Sequence, residues 1–522
     1  MPSTGKCGFL TGSRAPRLAR LRMKNVRTVL VLLPVLLFIS CGDSSKHSNP
    51  LVYQYSVNAP AGSAVTVEFG ADTNYGFTTS STMVPEGASS VNVQVAGMKP
   101  KTAYHLRADI TLPDGTQQQD TDRVFTTGDV RAELMPDANV TVPPGVTPSP
   151  GVELVGLTPG KDQASNRLTI VALDPAGNLI WYYDYDRSLG IAQPIKLMPN
   201  GNFLVNLFAG TTAPGGTVRE IDLSGATVHE FKVTDLNRWL LKAGYTWLAN
   251  SIHHDFSILP NGHLLLLVNT NKDFTDLTGI PGKTTVLGDA IVDLDPDFNP
   301  VWVWSAFDHL DVNRHPMMFP DWTHSNSLVY SPDDGNLLLS MRHQSWVIKI
   351  DYANGLGTGD VLWRLGYGGD FTLLNSSSPA DWFYAQHYAH FVSPNSAGTI
   401  QLAMFDNGDN RVLDGNGTTC GVSGAPDCYS RPAVFDVDEN AKTAQIHWAY
   451  PTVYSFWGGA IQQLPNLNLF VDVTTPADNL TGARILELTQ EPNPQTVWQL
   501  DINGQNSYRT THLPSLYPGV QW

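Results

Sequence analysis

The chain has 522 residues, of which only 15% are charged, and it contains 45 glycines and 36 prolines. This length suits one large repetitive domain with a small partner, and the composition favours short strands joined by tight turns over long solvated helices. Residues 42–522 carry 25 basic and 48 acidic side chains, a net charge of about −23 that excludes nucleic acid as an expected partner.

The first 41 residues predict an export signal. From Met23 the chain has a basic start, an apolar run over 29–39 and then Ser40-Cys41, the order of regions in a signal peptide, and it is short for a membrane span. The end of this segment resembles a bacterial lipobox, with Phe38 where Leu is usual. We therefore expect a lipoprotein signal over 1–41, with Met23 as an alternative start, and lipidation at Cys41. Simple secretion and an uncleaved anchor are the alternatives.

Because the chain is predicted to be exported, we expect a periplasmic or cell-surface protein that contacts a membrane only through its lipid anchor.

Residues 50–128 predict a small β-sandwich. Short runs alternate apolar and polar residues at 64–69, 90–95, 103–110 and 123–126, the pattern of half-buried strands. Residues 95–107, closed by Phe125-Thr126-Thr127-Gly128, resemble a fibronectin type III module with its tyrosine corner. The following segment, 129–150, has five prolines from position 136 onward and predicts a semi-rigid linker.

From residue 151 onward one pattern recurs: an alternating strand, an acidic turn residue, and a second strand with an aromatic near its end. Six copies occur, at 168–185, 217–233, 290–306, 345–366, 433–450 and 483–500. Between successive copies lies a second hairpin marked by a proline turn, at Pro199, Pro260, Pro332, Pro394 and Pro465. Two alternating hairpins per unit predict a six-bladed β-propeller over 151–522. An irregular tandem of β-sandwiches would explain the strands but not this alternation.

Three histidines share one phase of three successive repeats. Counting back seven residues from the repeat proline reaches His253 and His387, and counting back eight, to allow for an inserted acidic residue, reaches His324. Because a propeller brings the same phase of each blade to its central channel, we expect these side chains to meet in one pocket. Counting forward along the next strand reaches Arg342, whose planar guanidinium suits an oxyanion.

This set of residues fits two chemistries. Imidazoles bind metals, but Arg342 adds a cation beside the cluster and no carboxylate clearly shares the phase, although Asp255 lies close. A neutral imidazole can instead attack a tetrahedral oxyanion that cationic groups hold, which uses every residue. Two hypotheses from other classes stay open: a non-catalytic propeller lipoprotein that binds a protein or glycan, and a metal-dependent lyase or hydrolase.

Several strings resemble the bacterial arylsulfate sulfotransferase family. They are His253-His254-Asp255-Phe256, Asp321-Trp322-Thr323-His324-Ser325-Asn326-Ser327, Ser340-Met341-Arg342, Gln386-His387 and Phe405-Asp406-Asn407-Gly408. The spacing from His324 to Arg342, and the asparagine two residues after His324, match the sulfuryl-binding motif of that family.

The resemblance implies a ping-pong enzyme that moves a sulfuryl group from an aryl sulfate to a phenolic acceptor without a nucleotide donor or other cofactor. His387 would be the nucleophile that becomes transiently sulfated, and His324, Asn326 and Arg342 would hold the sulfuryl oxygens. One histidine of the pair at 253 and 254 would act as acid and base. Repeat phase favours His253, and His254 stays open. Because family members include dimers, a homodimer is a further expectation.

Cys420 and Cys428 lie close together in a glycine-rich loop. In an oxidising compartment such a pair predicts a disulfide, with two buried free thiols as the alternative. The chain departs from the family in two places. The small disulfide of the family precedes the nucleophile, whereas this pair follows His387. The segment 454–458 also offers no match for the basic residue that the family has in a late blade.

Overall fold

A computed structural model describes residues 49–159, 169–210, 215–396 and 398–522. The predicted signal segment 1–41, with Met23 and the lipidation site Cys41, lies outside these residues. The regular structure of the described chain is nearly all β-strand, which confirms the all-β prediction. None of its helices has the length and apolarity needed to span a bilayer.

Eight strands form an N-terminal module: β1 (Tyr53–Asn58), β2 (Ala64–Gly70), β3 (Phe77–Thr78), β4 (Thr82–Met83), β5 (Ser90–Val95), β6 (Ala103–Thr111), β7 (Gln117–Gln119) and β8 (Arg123–Thr126). Strands β1 and β5 pair in one small sheet, and β2 and β6 are the centre of a second. Every second residue of β6 is buried, as expected for a strand with one face on a core. The Tyr104 hydroxyl accepts a hydrogen bond from the main-chain N–H of Lys99 at 3.0 Å.

The remaining strands run from the proline-rich segment to the C-terminus. They are β9 (Asp137–Thr141), β10 (Val152–Pro159), β11 (Thr169–Leu173), β12 (Leu179–Asp184), β13 (Ile191–Leu197), β14 (Phe203–Phe208), β15 (Thr217–Ile221), β16 (Thr227–Lys232), β17 (Ser251–Ile258), β18 (Leu264–Leu277), β19 (Ile280–Leu294), β20 (Pro300–Ser305), β21 (Ser325–Tyr330), β22 (Leu337–Met341), β23 (Trp346–Ile350), β24 (Val361–Leu365), β25 (Thr372–Leu373), β26 (His387–Ser396), β27 (Thr399–Asp406), β28 (Arg431–Asp438), β29 (Thr443–Ala449), β30 (Ala460–Gln463), β31 (Leu469–Val473), β32 (Ala483–Leu488), β33 (Thr496–Asn503) and β34 (Gln505–Leu513).

Helices are few and short. The α-helices are α1 (Val233–Lys242) and α2 (Ala306–His309), and single 3-10 turns lie at Ala132–Leu134, Arg187–Leu189, Arg342–Gln344, Ala353–Gly355 and Pro379–Asp381.

Strands β9 to β34 build a succession of four- and five-stranded sheets in the described chain. Their orders are β12-β11-β10-β34, β13-β14-β15-β16, β17-β18-β19-β20, β21-β22-β23-β24, β25-β29-β28-β27-β26 and β30-β31-β32-β33-β9. The end strands β13, β17, β21, β26, β30 and β34 each contact the next, and β34 returns to β13, so these strands close a ring. This arrangement is consistent with a β-propeller. We call these six strands the inner strands.

The ring is closed by the two ends of the region. The C-terminal strand β34 pairs antiparallel with β10, with Leu154 opposite Thr511. Strand β9, from the proline-rich segment 129–150, pairs with β33 and gives the last sheet a fifth strand. Both pairings join residues that are more than 300 positions apart in the sequence.

The recurring aromatic residues tie neighbouring sheets together. The indole N–H of Trp181 donates to the Leu223 carbonyl at 2.7 Å, that of Trp304 to Gly359 at 2.9 Å, and that of Trp498 to Pro175 at 2.7 Å. Each ring is buried, and each acceptor belongs to a turn of the next sheet. The repeated aromatic therefore packs between sheets while its single polar atom stays hydrogen-bonded.

Candidate active site

The predicted histidines lie at or near the beginnings of three inner strands. His387 begins β26, His324 directly precedes β21, and His253 and His254 lie in β17. Strands β17, β21 and β26 each lose regular pairing register at this point, and His254 and His324 have φ values of 55° and 47°. Bulges of this kind turn side chains away from the strict in-and-out alternation, and strained backbone of this type clusters at functional sites.

The protonation state of His387 follows from Asn407. The Asn407 amide nitrogen donates to the main-chain carbonyls of Ser455 at 2.8 Å and Gly458 at 3.0 Å, so its oxygen faces His387. That oxygen lies 2.7 Å from His387 Nδ1. Because the oxygen can only accept, Nδ1 carries the proton and Nε2 keeps its lone pair. His387 is thus held as the tautomer in which Nε2 is a nucleophile.

Surroundings also keep His387 neutral. Burial first, and then the positive charge of Arg342, hold the pKa of His387 well below its usual range, although the hydrogen bond to Asn407 acts in the opposite direction. The side chain is 2% exposed. The main-chain N–H of Gly458 donates to Nε2 at 3.3 Å, a long contact that an incoming electrophile can displace.

Gly458 must be a glycine for this approach. Its φ is 64°, and a Cβ there would lie 2.5 Å from Thr474 Oγ1. The segment predicted to lack the basic residue of the family therefore supplies a main-chain donor next to His387.

Arg342 lies in a 3-10 turn directly after β22 and is 9% exposed. Its Nη2 donates to Asp409 Oδ2 and to the Phe456 carbonyl, both at 2.9 Å, and its Nη1 lies 2.8 Å from His343 Nε2. Its Nε is buried and has no hydrogen-bond partner among the described residues. The guanidinium is therefore fixed in place while its Nε–H stays unused, a state suited to binding an oxyanion.

His324 and His343 lie face to face, with ring centroids 4.4 Å apart. His324 Nδ1 is 2.6 Å from Asp321 Oδ2, and His343 Nδ1 donates to the Asp321 main-chain carbonyl at 2.6 Å. Burial, reinforced by the nearby His324, lowers the pKa of His343 to about 4. The Nε2 of His324 is left to face the site.

Asp321, His324 and His343 are close enough together to suggest a metal site. His343, however, must accept from Arg342 through Nε2 because an arginine only donates, so its Nδ1 carries a proton that it donates to Asp321. Coordination by either nitrogen would break one of these bonds. The residues present therefore fit a metal poorly.

The neighbouring histidines His253 and His254 have different surroundings. The His254 ring lies 4.9 Å from that of His324 and 5.5 Å from that of Tyr508, measured between centroids. Burial, and then the neighbouring imidazoles beginning with His324, hold the pKa of His254 well below its usual range. His253 instead lies behind His254 and reaches Asp289, with Nε2 3.2 Å from Oδ1.

Asn326 is fully buried beside Gln386, the residue before His387. Its amide nitrogen donates to the main-chain carbonyl of Gln386 at 2.7 Å, which leaves one amide proton, and its main-chain carbonyl accepts from Arg509 at 2.8 Å. Asn326 thus connects the residue before His387 to the final inner strand.

Two residues that sequence reasoning missed, Tyr508 and Arg509, come from β34. The Tyr508 ring meets His254 and His387 edge-on, with centroids 5.5 and 6.0 Å apart, and lies against Trp457. Arg509 lies 3.4 Å from the buried carboxylate of Asp255. No local motif marks these positions, because they enter the site only when β34 closes the ring.

The loop after β27 holds His387 through Asn407 and Arg342 through Asp409. Asp406, fully buried, anchors its start by accepting from Arg411 Nη2 at 2.8 Å and from Arg431 Nε at 2.9 Å. The predicted disulfide between Cys420 and Cys428 is confirmed and closes the same loop. Cys420 N–H donates to the Arg411 carbonyl at 2.9 Å, so the disulfide braces the segment that orients His387.

Comparison with known proteins gives a family model that matches most of the chain and a curated relative that matches over about half of its own length. Residues 153–509 match the family model described as Arylsulfotransferase (ASST). A protein of Escherichia coli O6:H1 named arylsulfate sulfotransferase AssT is 25% identical over 343 residues, covering 53% of this chain and 52% of the relative. The chain therefore spans about half the length of the curated relative it matches.

Solved structures give only distant likenesses. A Lactobacillus plantarum protein has a TM-score of 0.34 at 11% identity and covers 70% of this chain and 100% of its own. Cobalt-substituted Synechocystis ACO has a TM-score of 0.31 at 12% identity and covers 88% of this chain and 96% of its own. At these scores neither structure bears on the assignment.

The region matched by the family model contains all the histidines of the site together with Asn326, Arg342 and Tyr508, and it ends at Arg509. The resemblance seen in the sequence motifs is thereby confirmed: the chain belongs to the arylsulfotransferase family.

Proposed function

We propose that this protein is an arylsulfate sulfotransferase that moves a sulfuryl group from an aryl sulfate to a phenol through a sulfated His387. The observation that carries the proposal is the His387 tautomer: Asn407 holds the proton on Nδ1, so the Nε2 lone pair is available in a buried, neutral imidazole. Family membership and a relative named arylsulfate sulfotransferase support the same chemistry.

In the first half-reaction the Nε2 lone pair of His387 attacks sulfur. A nitrogen–sulfur bond forms, the sulfur–oxygen bond to the aryl group breaks, and its electron pair leaves on the phenolate. Arg342, through its unused Nε–H, offsets charge on the sulfuryl oxygens. The Gly458 N–H, displaced from Nε2, is beside the same group and can donate to one of its oxygens.

Two more residues complete the sulfuryl site. His324, which Asp321 orients through the contact at Nδ1, contributes the Nε2 edge of its ring. Asn326 offers its one remaining amide proton. All of these donors are fixed by hydrogen bonds to the protein, so they need no reorganisation as charge develops.

The second half-reaction reverses the first with a phenolic acceptor. His254 accepts the phenol proton, the phenol oxygen attacks sulfur, and the nitrogen–sulfur bond breaks with its electron pair returning to His387. In steady state the proton taken from the acceptor is returned to the next leaving phenolate, so protons balance over the cycle. We assign this role to His254 because its ring, rather than that of His253, lies against His324 and Tyr508.

We also propose the finer architecture and setting. The closed ring of inner strands supports a six-bladed propeller, and the Tyr104 contact with Lys99 supports a fibronectin type III-like module before it. The N-terminal apolar segment and the disulfide support export as a lipoprotein to an oxidising compartment.

The assay follows nitrophenolate release from 4-nitrophenyl sulfate by the purified protein with phenol present, with and without a chelator. We expect chelator-insensitive release that depends on phenol and is lost in His387→Ala but kept in His447→Ala, a change at a half-exposed histidine. Absence of release with every phenolic acceptor, or full activity of His387→Ala, would overturn the proposal. Loss of activity on chelation would favour a metal-dependent enzyme instead.

A further inference from the structure

Two buried residues, Asp289 and His253, extend from the proposed acid–base histidine His254 and form a line with it. Asp289 Oδ1 lies 3.2 Å from His253 Nε2, an ion-pair contact without the geometry of a hydrogen bond, and His253 Nδ1 lies 2.7 Å from His254 Nδ1. All three side chains are at least nine-tenths buried. The other oxygen of Asp289 accepts from the main-chain N–H of Ser325 at 2.6 Å, one residue after His324.

The order of protons along this line can be worked out from the carboxylate. Burial acts to raise the pKa of Asp289, but the contact with His253 and the hydrogen bond from Ser325 outweigh it and hold that pKa below its usual value, so Asp289 is ionised. An ionised carboxylate favours a proton on the facing Nε2 of His253, which leaves His253 Nδ1 as an acceptor. His254 Nδ1 must then donate, and the lone pair of His254 falls on Nε2, the nitrogen available to substrate.

We propose that Asp289 and His253 are positioning residues of a relay, Asp289–His253–His254, that fixes the His254 tautomer able to take the acceptor proton. This proposal rests on the sulfuryl transfer proposed above. When His254 receives the phenol proton on Nε2, its positive charge is shared along the line towards the Asp289 carboxylate. The two adjacent histidines therefore have different roles: His254 takes the acceptor proton, and His253 positions His254.

Other groups that face His254 oppose its protonation, and the proposed relay acts against this effect. They are the basic groups His324, His253, His387 and Arg509, and the Tyr508 ring contacts His254 edge-on. Against these, Asp289 is the carboxylate that reaches His254 through a direct imidazole contact. Removing it should lower the pKa of His254 further, and the acid limb of the turnover profile should move to lower pH.

Asp289→Asn is the most direct test because it keeps the shape. Ser325 N–H requires an oxygen, so the Asn amide nitrogen would face His253 and force the lone pair onto His253 Nε2. The protons along the line then reverse, and His254 Nε2 carries a proton and cannot act as a base. The first half-reaction with 4-nitrophenyl sulfate, whose leaving phenolate is stable, needs no proton from His254.

We expect Asp289→Asn to keep the nitrophenolate burst seen without acceptor but to lose about 100-fold or more of steady-state turnover with phenol. His253→Asn places an oxygen near the position of Nδ1 and should retain more turnover than Asp289→Asn, with the acid limb moved to lower pH. The control is His263→Asn, which breaks a His–Asp pair of 3.0 Å in the same sheet, outside the site.

The outcomes separate this inference from the proposed function. If the wild type shows burst and turnover while Asp289→Asn loses both equally, or loses neither, the relay is wrong and the sulfuryl transfer stands. If the wild type shows no burst with 4-nitrophenyl sulfate, the proposed function fails first. An unshifted pH profile in an active His253→Asn would likewise contradict the relay.

Discussion

Replacing Asn407 with leucine tests the most specific claim about the nucleophile. Leucine has a similar volume but cannot accept from His387 Nδ1 or donate to Ser455 and Gly458. Three hydrogen bonds of about 1 kcal/mol each are lost, so the free energy of unfolding should fall by about 3 kcal/mol. A freed imidazole can also adopt the wrong tautomer and orientation, and together these effects should lower the burst rate by about 100-fold to 1000-fold.

The measurement is the rate of nitrophenolate burst in stopped flow, corrected for the folded fraction from urea denaturation. The matched control is Asn237→Leu, which removes an asparagine that bridges the Ala249 main chain with bonds of 2.8 and 2.9 Å on α1, away from the site. It should lose stability but keep its burst rate. A burst rate for Asn407→Leu within about threefold of wild type would refute the tautomer argument, since a factor of three is under 1 kcal/mol.

Three further changes test other parts of the account. Arg342→Met should lower kcat and kcat/KM with 4-nitrophenyl sulfate by about 1000-fold. Because Arg342 helps to keep the pKa of His387 low, the acid limb of the pH–rate profile should move to higher pH in this variant. An effect on KM alone would contradict the proposed role of Arg342. Replacing Cys420 and Cys428 with serine opens a loop with a sequence separation of 8 and should cost about 2 kcal/mol of unfolding free energy in urea titrations; an unchanged midpoint would contradict it. Burial raises the pKa of Asp472 to about 6. The folded state therefore holds this proton to higher pH than the unfolded state. As the pH rises from about 4 to about 6, the free energy of unfolding of the wild type should fall by about 3 kcal/mol relative to that of Asp472→Asn. Parallel pH dependences of the two proteins would show that this carboxyl is not perturbed.

Local sequence patterns predicted much of the fold because each repeat is a local hairpin. The copy at 290–306 contains the paired ends of β19 and β20, and the turn at Pro260 joins β17 to β18. Such hairpins depend on alternation and turn residues that lie within about twenty positions. The pairing of β9 with β33 and of β34 with β10 has no local pattern, because it depends on closure of the whole ring.

The site, too, has parts that local patterns predicted and parts that they did not. Repeat phase predicted that His324 and His387 lie at the starts of inner strands, and the structure places them there. Between His253 and His254 the phase count favoured His253, yet His254 is the ring that lies against His324. The register shift in β17 explains the difference, because a bulge breaks the period of two on which a phase count depends.

The sulfated histidine itself is the most direct test of the account. Protein exposed to 4-nitrophenyl sulfate without acceptor, then digested at neutral to basic pH and analysed by mass spectrometry, should carry one sulfuryl group on His387. Addition of phenol should discharge it and yield phenyl sulfate in equal amount, and His387→Ala should carry none. A stoichiometric burst of nitrophenolate with no modified histidine, or with the sulfuryl group on another residue, would contradict the mechanism.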